Sequence, residues 1–182
     1  MTVVELGPER CDALLRFFRE LPEGDLTFIK EEVTDPDAVR SWAADGTAGG
    51  RWVAVDDGTD EVTGYLAVRP LPGWSDHVGE LRLVVAPGRR GSGLGRELAR
   101  HGLVEGVRSG LRKIVVEVVA EQGSALALFS DLGFSGEALL RDHIRDRGGE
   151  LRDLMVLAHH VSDTWAGMDT VGVADELGAP AG

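Results

Sequence analysis

The chain has 182 residues, a formal net charge of −12 and 43% hydrophobic residues, enough to bury a sizeable core in one domain. Its acidity argues against a nucleic-acid partner, whose phosphates demand a basic surface, and no run of about 18 apolar residues offers a membrane span. The opening Met1-Thr2-Val3-Val4-Glu5 lacks the basic and apolar regions of a signal peptide. A single cysteine, Cys11, cannot form an internal disulfide, so a cytoplasmic location is expected.

In chain order, Thr2 to Leu6 reads as a short strand. Pro8 stands where a helix can start, and Leu14, Leu15, Phe17, Phe18 and Leu21 give that helix an apolar face that includes Cys11. Leu26 to Thr34 has no clear period, and Phe28 and Ile29 are expected to pack a short helix on the core. Asp35-Pro36 pairs a capping residue with proline at the first helical position, opening a helix toward Ala44. Asp45 to Gly50 is a flexible turn.

Three strands follow, Trp52 to Val55, Val62 to Val68 and Glu80 to Val85. Asp57-Gly58-Thr59-Asp60 closes the first two into an antiparallel hairpin, and Pro70 to Val78 reads as a surface loop. Leu94, Leu98, Leu103 and Val107 form the apolar face of a long helix. Lys113 to Val119 is β-branched throughout its core, as expected of a central strand. Ser124 caps a short helix ending at Asp131, with Gly133 in its C-terminal position. Two strands, about Glu137 to Ile144 and Leu151 to Ala158, turn at Arg147-Gly148-Gly149. Residues 1–160 are expected to form one domain, and 161–182 an extension, weakly helical and then disordered. Trp165, Met168, Val171 and Leu177 in that extension offer a contact for a homodimer.

The most specific local pattern is Val84-Val85-Ala86-Pro87-Gly88-Arg89-Arg90-Gly91-Ser92-Gly93-Leu94-Gly95. An apolar strand stops at a proline, a basic pair follows, and a glycine-dense turn opens into the helix. Such a turn presents bare N–H groups at a helix N-terminus, where phosphate is held by hydrogen bonds and the helix dipole. Arg89 and Arg90 can add guanidinium groups to the same anion. A Walker loop would need a lysine that is absent after Gly93. A dinucleotide fingerprint would need a third glycine where Arg96 or Leu98 stands. These departures count against a nucleotide-binding module of another class.

The spacing Arg90-Gly91-Ser92-Gly93-Leu94-Gly95 resembles the Q/R-x-x-G-x-G/A pyrophosphate loop of the GNAT superfamily, the acetyl-CoA-dependent N-acetyltransferases. Ala125-Leu126-Ala127-Leu128-Phe129-Ser130-Asp131-Leu132-Gly133-Phe134 is similar to a second stretch of that family, A-x-x-L-Y-x-x-x-G-F. The resemblance covers roughly Arg51 to Ala158. It implies an α/β (α+β) fold with a central mixed, mostly antiparallel sheet and helices on both faces. It also implies that acetyl-CoA is the acyl donor. Neither C-x-x-C nor H-x-x-x-H spacing occurs, so no metal is expected.

Under that resemblance Arg89, Arg90, Gly91, Ser92, Gly93, Leu94 and Gly95 bind pyrophosphate, and backbone groups of Leu83, Val84 and Val85 bind the pantetheine arm in the slot beside a splayed strand. Gln122 stands where the family often has asparagine. Phe129 stands where it often has a tyrosine general acid, and cannot donate a proton; Tyr65, the only tyrosine, falls in a sheet position. The reaction implied is direct attack of a neutral primary amine, from a small molecule or a protein lysine or N-terminus, on the acetyl thioester. Glu80 is the candidate base, with an exposed strand-end glutamate as the plain alternative. The N–H of Val85 is the candidate oxyanion donor. Period two puts Glu80 and Arg82 on one face of their strand and Leu81, Leu83 and Val85 on the other.

His143 and Asp153 are expected at solvated hairpin positions, with reach into a substrate pocket as the alternative, and His77 and Trp74 on a loop surface, with the acceptor site as theirs. His159 and His160, being adjacent, point to opposite faces and make a poor metal pair. A module that binds acyl-CoA without transferring it is the alternative that Phe129 favours.

Overall fold

A computed structural model of the chain describes residues 1–44 and 49–161. The expected turn at 45–48 and the extension from 162 onward lie outside the described residues. Among the described residues seven strands form one sheet: β1 (Thr2–Glu5), β2 (Gly50–Val55), β3 (Val62–Pro70), β4 (Val78–Val85), β5 (Lys113–Val119), β6 (Ser135–Arg145) and β7 (Leu151–His160). Their spatial order is β1-β2-β3-β4-β5-β7-β6. Only β4 and β5 run parallel; the other neighbours are antiparallel. The α/β reading with a mixed, mostly antiparallel sheet therefore holds.

Among the described residues five α-helices cover the sheet: α1 (Cys11–Glu20), α2 (Glu23–Leu26), α3 (Pro36–Ala44), α4 (Leu94–Arg108) and α5 (Gly123–Asp131). Strand β3 shows why both faces must be covered. Leu66 and Val68 enter a core with Leu94, Leu98 and Leu103 of α4 and Phe129 of α5. Tyr65 and Ala67, one position out of phase, enter a second core with Leu14, Phe17 and Phe18 of α1 and Val39 of α3. Alternation along one strand thus feeds two hydrophobic layers. The cap at α3 forms as its sequence implies, with the Asp37 N–H donating to Asp35 Oδ1 at 3.0 Å.

Several boundaries differ from expectation for identifiable reasons. Pro70 is the last residue of β3 rather than the first of the loop. The Leu71 N–H donates to the Val78 carbonyl, so Pro70 and Gly79 face each other as a pair that exchanges no hydrogen bond, where a missing N–H costs nothing. The expected loop from Pro70 to Val78 shrinks accordingly to a tight connection around a 3-10 turn, Gly73–Ser75. In the Leu26 to Thr34 stretch the helix comes earlier, as α2, and residues 27–31 turn over the sheet instead. A 3-10 turn, Pro8–Arg10, precedes α1. Helix α5 is capped at Gln122, two residues before Ser124, and the Gln122 side chain makes no cap bond.

Candidate active site

Strands β4 and β5 pair only over Val78–Glu80 and Lys113–Val115. Beyond that point each keeps its other neighbour: β4 stays with β3 to Val85, and β5 stays with β7 to Val119. The sheet therefore forks. A cavity of about 410 Å³ fills the opening, lined by Leu81–Val84 on one side and Val116–Val119 on the other.

Ladder parity decides which backbone groups face it. The Ala86 N–H donates to the Thr63 carbonyl at 2.9 Å, so Ala86, Val84 and Arg82 form the hydrogen-bonded pairs with β3 in the observed register. The N–H and C=O groups of Leu83 and Val85 consequently point toward the fork, where no strand answers them. Those of Val84 point toward β3, so Val84 presents only its side chain to the cavity.

The glycine turn lies at the end of β4. Gly91 and Gly93 adopt φ of 74° and 92°, a region disfavoured for residues with a Cβ. Gly93 caps α4, and the first intrahelical bond runs from the Glu97 N–H to its carbonyl at 3.1 Å. The N–H groups of Leu94, Gly95 and Arg96 precede that bond and have no partner within the helix. Leu94 itself is buried in the core, which anchors the turn. At Gly95 a Cβ would approach Leu128 of α5 to 3.2 Å. The Ser92 hydroxyl folds back on the Arg89 carbonyl at 2.6 Å and so shapes the turn.

Both arginines of the turn are engaged by acids. Arg89 pairs with Asp56 of the β2–β3 turn. Arg90 pairs with Asp25 of α2 at 2.6 Å and lies 3.5 Å from the Val85 carbonyl. An anion at the helix terminus would compete with these two carboxylates for the guanidinium groups.

A charged network lies under the fork. Arg82 Nε and Nη2 donate to Glu80 at 3.0 and 2.8 Å, and Arg82 Nη1 lies 3.2 Å from Glu31. Arg51 Nη2 meets the same Glu31 oxygen at 2.8 Å and stacks 4.2 Å over the Trp42 ring. The Tyr65 hydroxyl accepts from Arg51 and donates to Glu31 at 3.4 Å. Burial pushes the Tyr65 phenol well above its ordinary pKa, so it holds its proton and serves as a fixed part of the wall. Burial alone would raise the Glu80 carboxyl too, but Arg82 and then Lys30 outweigh it and hold it below the usual range.

Lys30 reaches into this network from the segment after α2. Its Nζ lies 2.5 Å from Glu117 Oε2 and 3.4 Å from Glu80 Oε1. Glu117 was not among the expected site residues. Its signal in the sequence is a carboxylate set inside the β-branched run Ile114-Val115-Val116-Glu117-Val118-Val119, on the strand face opposite Ile114, Val116 and Val118.

The far wall comes from α5 and the β6–β7 hairpin. Phe129 is buried against Phe134, with ring centroids 5.2 Å apart, and lines the cavity together with Gln122 and Leu128. On β6 the register slips between Leu140 and Ile144. The bulge is pinned by the Asp142 N–H, which donates to Asp153 Oδ1 at 2.9 Å, with Asp142 at φ 53°. It brings His143 to the cavity, while Asp153 serves the bulge. Trp74 is 96% exposed and, like His77, does not line the cavity. His159 bonds the Gly133 carbonyl and His160 meets Glu137, on opposite faces as expected. Cys11 is buried among α1 core residues, and burial raises its thiol pKa.

An unpaired strand edge and a glycine-capped helix N-terminus, side by side at a fork in a mixed sheet, define the class of this α/β domain. The sequence pattern of the acetyltransferase (GNAT) family matches residues 14–134, and the chain belongs to that family. A mycothiol acetyltransferase of Renibacterium salmoninarum is 33% identical over 91 residues, covering 48% of this chain and 27% of that protein. One from Amycolatopsis mediterranei is 41% identical over 69 residues, covering 36% and 23%. The chain thus spans about a quarter of the length of these curated relatives. Among solved structures, a GCN5-related N-acetyltransferase from Kribbella flavida superposes with a TM-score of 0.76 at 26% identity, covering 88% of this chain and 97% of that one. An acetyltransferase structure from Salmonella typhimurium, solved with its cofactor acetyl-CoA, gives 0.75 at 20% identity, covering 88% and 93%; at that identity it shows the fold alone.

Proposed function

We propose that this chain binds acetyl-CoA along the β4 edge and transfers its acetyl group to a primary amine. The observation that carries this reading is the backbone of Leu83 and Val85, left without a strand partner beside the N-terminus of α4. A pantetheine arm carries amides that replace the missing strand partner, and its diphosphate meets the N–H groups after Gly93, with Arg89, Arg90, Gly91, Ser92 and Gly95 forming the rest of the cradle. Gln122 and Phe129 wall the slot. Family membership supports acetyl-CoA as donor, and the names of the curated relatives support acetyl transfer in general.

Glu80 is the base in this reading. A protonated amine has no lone pair to offer, and Glu80 at the mouth of the fork accepts its proton directly or through water. The Val85 N–H meets the oxyanion that develops as the thioester carbonyl is attacked. The departing thiolate needs little help, because a thiol of pKa near about 8.5 is a fair leaving group. Phe129 in the usual acid position is therefore compatible with transfer. The net charge of −12 favours a cationic amine, whether small molecule or protein lysine or N-terminus. A buried, unpaired Cys11 accords with the cytoplasm. The second reading, an acyl-CoA-binding module without transfer, rests on that same Phe129, buried and unable to donate a proton.

Calorimetry tests the first step: acetyl-CoA should bind at sub-millimolar concentration, and absence of heat would remove the reading. Gly93→Ala forces a Cβ into a left-handed conformation at a cost of about 1–2 kcal/mol, and should weaken acetyl-CoA about tenfold. Release of free CoA in the presence of a panel of amines separates transfer from binding alone.

A further inference from the structure

The chain carries only two lysines, Lys30 and Lys113; every other residue among its nineteen Lys and Arg is arginine. One of these two amines stands in the cavity. Lys30 lines it, and its ammonium is held between carboxylates from the two sides of the fork, 3.4 Å from Glu80 on β4 and 2.5 Å from Glu117 on β5. Its side chain remains 52% exposed, so the amine is open to the cavity side. The other amine, Lys113, is held 2.6 Å from Glu137 at the opposite end of β5, outside the residues that line the cavity. A primary alkylamine beside the candidate base, in the opening where the thioester would lie, has the chemistry and the place of an acceptor.

We propose that Lys30 is an acetyl acceptor in cis: the protein acetylates its own Lys30 from acetyl-CoA. This rests on the reading of the fork as the acetyl-CoA site. The Lys30 ammonium gives a proton to Glu80, and the freed lone pair attacks the thioester carbonyl. A C–N bond forms, the C–S bond breaks, and the second amine proton leaves as the amide forms. CoA departs as thiolate and is protonated to the free thiol, leaving one net proton in solution. Glu117 acts as a positioning residue, holding the amine on the β5 side. Proximity is what distinguishes Lys30, since a group held in place reacts as a unimolecular partner rather than by encounter.

The test uses the full chain with acetyl-CoA and no added amine, followed by intact mass and peptide mapping. Lys113 and urea-unfolded protein serve as internal measures of uncatalysed acetylation. The expected result is one acetyl group on Lys30, formed at a first-order rate that does not change with protein concentration, with Lys113 unmodified. Glu117→Gln should slow labelling about tenfold with acetyl-CoA affinity by calorimetry unchanged, and Lys30→Arg should abolish it. If acetyl-CoA binds in calorimetry but Lys30 is labelled no faster than Lys113, self-acetylation is overturned and the donor site stands. A rate that rises with protein concentration also overturns it. If acetyl-CoA does not bind, the donor site and self-acetylation both fall.

Discussion

Glu80→Gln lowers the rate of acetyl transfer by about 10²- to 10⁴-fold, the range of a lost general base, and leaves acetyl-CoA affinity nearly unchanged. The amide keeps the shape of the carboxylate and loses its basicity, so an effect on binding comparable to the effect on rate would remove Glu80 from the proton pathway. The pH dependence follows from its surroundings. The paired guanidinium of Arg82 and the Lys30 ammonium hold the carboxyl below its ordinary value against the opposing pull of burial. Activity that needs the carboxylate is therefore fully present above the usual glutamate range and falls only as pH drops through the depressed value. The same group stabilises the fold above the unfolded glutamate pKa of about 4.3, and that contribution is lost as pH falls through the folded value. Arg82→Ala leaves the burial and removes the larger of the two opposing charges. The acid limb of the rate profile should then move to higher pH, and an unmoved limb would show that Glu80 does not set it.

Phe18→Ala destabilises the protein by about 3–5 kcal/mol, as for a large aromatic removed from a packed core, out of a total of about 5–15 kcal/mol typical of a domain. Phe18 is fully buried, with its ring edge-on to Tyr65 at 5.2 Å and to Trp42 at 6.2 Å. Those two rings are themselves stacked at 5.7 Å. Urea denaturation should show a lower midpoint with an unchanged slope; a loss under about 1 kcal/mol would mean that the site collapses to fill the cavity. The effect reaches the fork, because Tyr65 supports Glu31 and Arg51, and Glu31 in turn holds Arg82.

What the sequence discloses here depends on how far apart the cooperating residues lie. The glycine turn is local: strand, proline, arginines, glycines and helix follow within twelve residues, and spacing alone excludes the Walker and dinucleotide alternatives. The interior place of β5 is readable for the same reason, as a β-branched run. The fork is not local. Nothing in β4 or β5 taken singly announces that they part after three residues, and only the family resemblance foresaw it. Ladder parity then separates Leu83 and Val85 from Val84, a distinction that needs the register with β3. Lys30 and Glu80 are fifty positions apart and Glu117 lies further still, so their meeting emerges only from the packing of the α2–α3 segment on the sheet. The extension of β3 through Pro70 was hidden because a proline is disruptive in a strand only where its N–H is wanted, and that again depends on the partner strand.

The bulge in β6 gives the hairpin a property useful for redesign. Three residues, Arg141 to His143, are looped out against one, Asp153, while the pairs on either side, Leu140 with Leu154 and Ile144 with Arg152, keep their alignment. Changes of side chain within the loop therefore need not propagate into the ladder, provided that Asp142 and its bond to Asp153 are kept. Position 143 can be varied to reshape the entrance on the amine side while the donor side, on β4 and α4, is left untouched. A library confined to that one position would search acceptor preference at little risk to the fold.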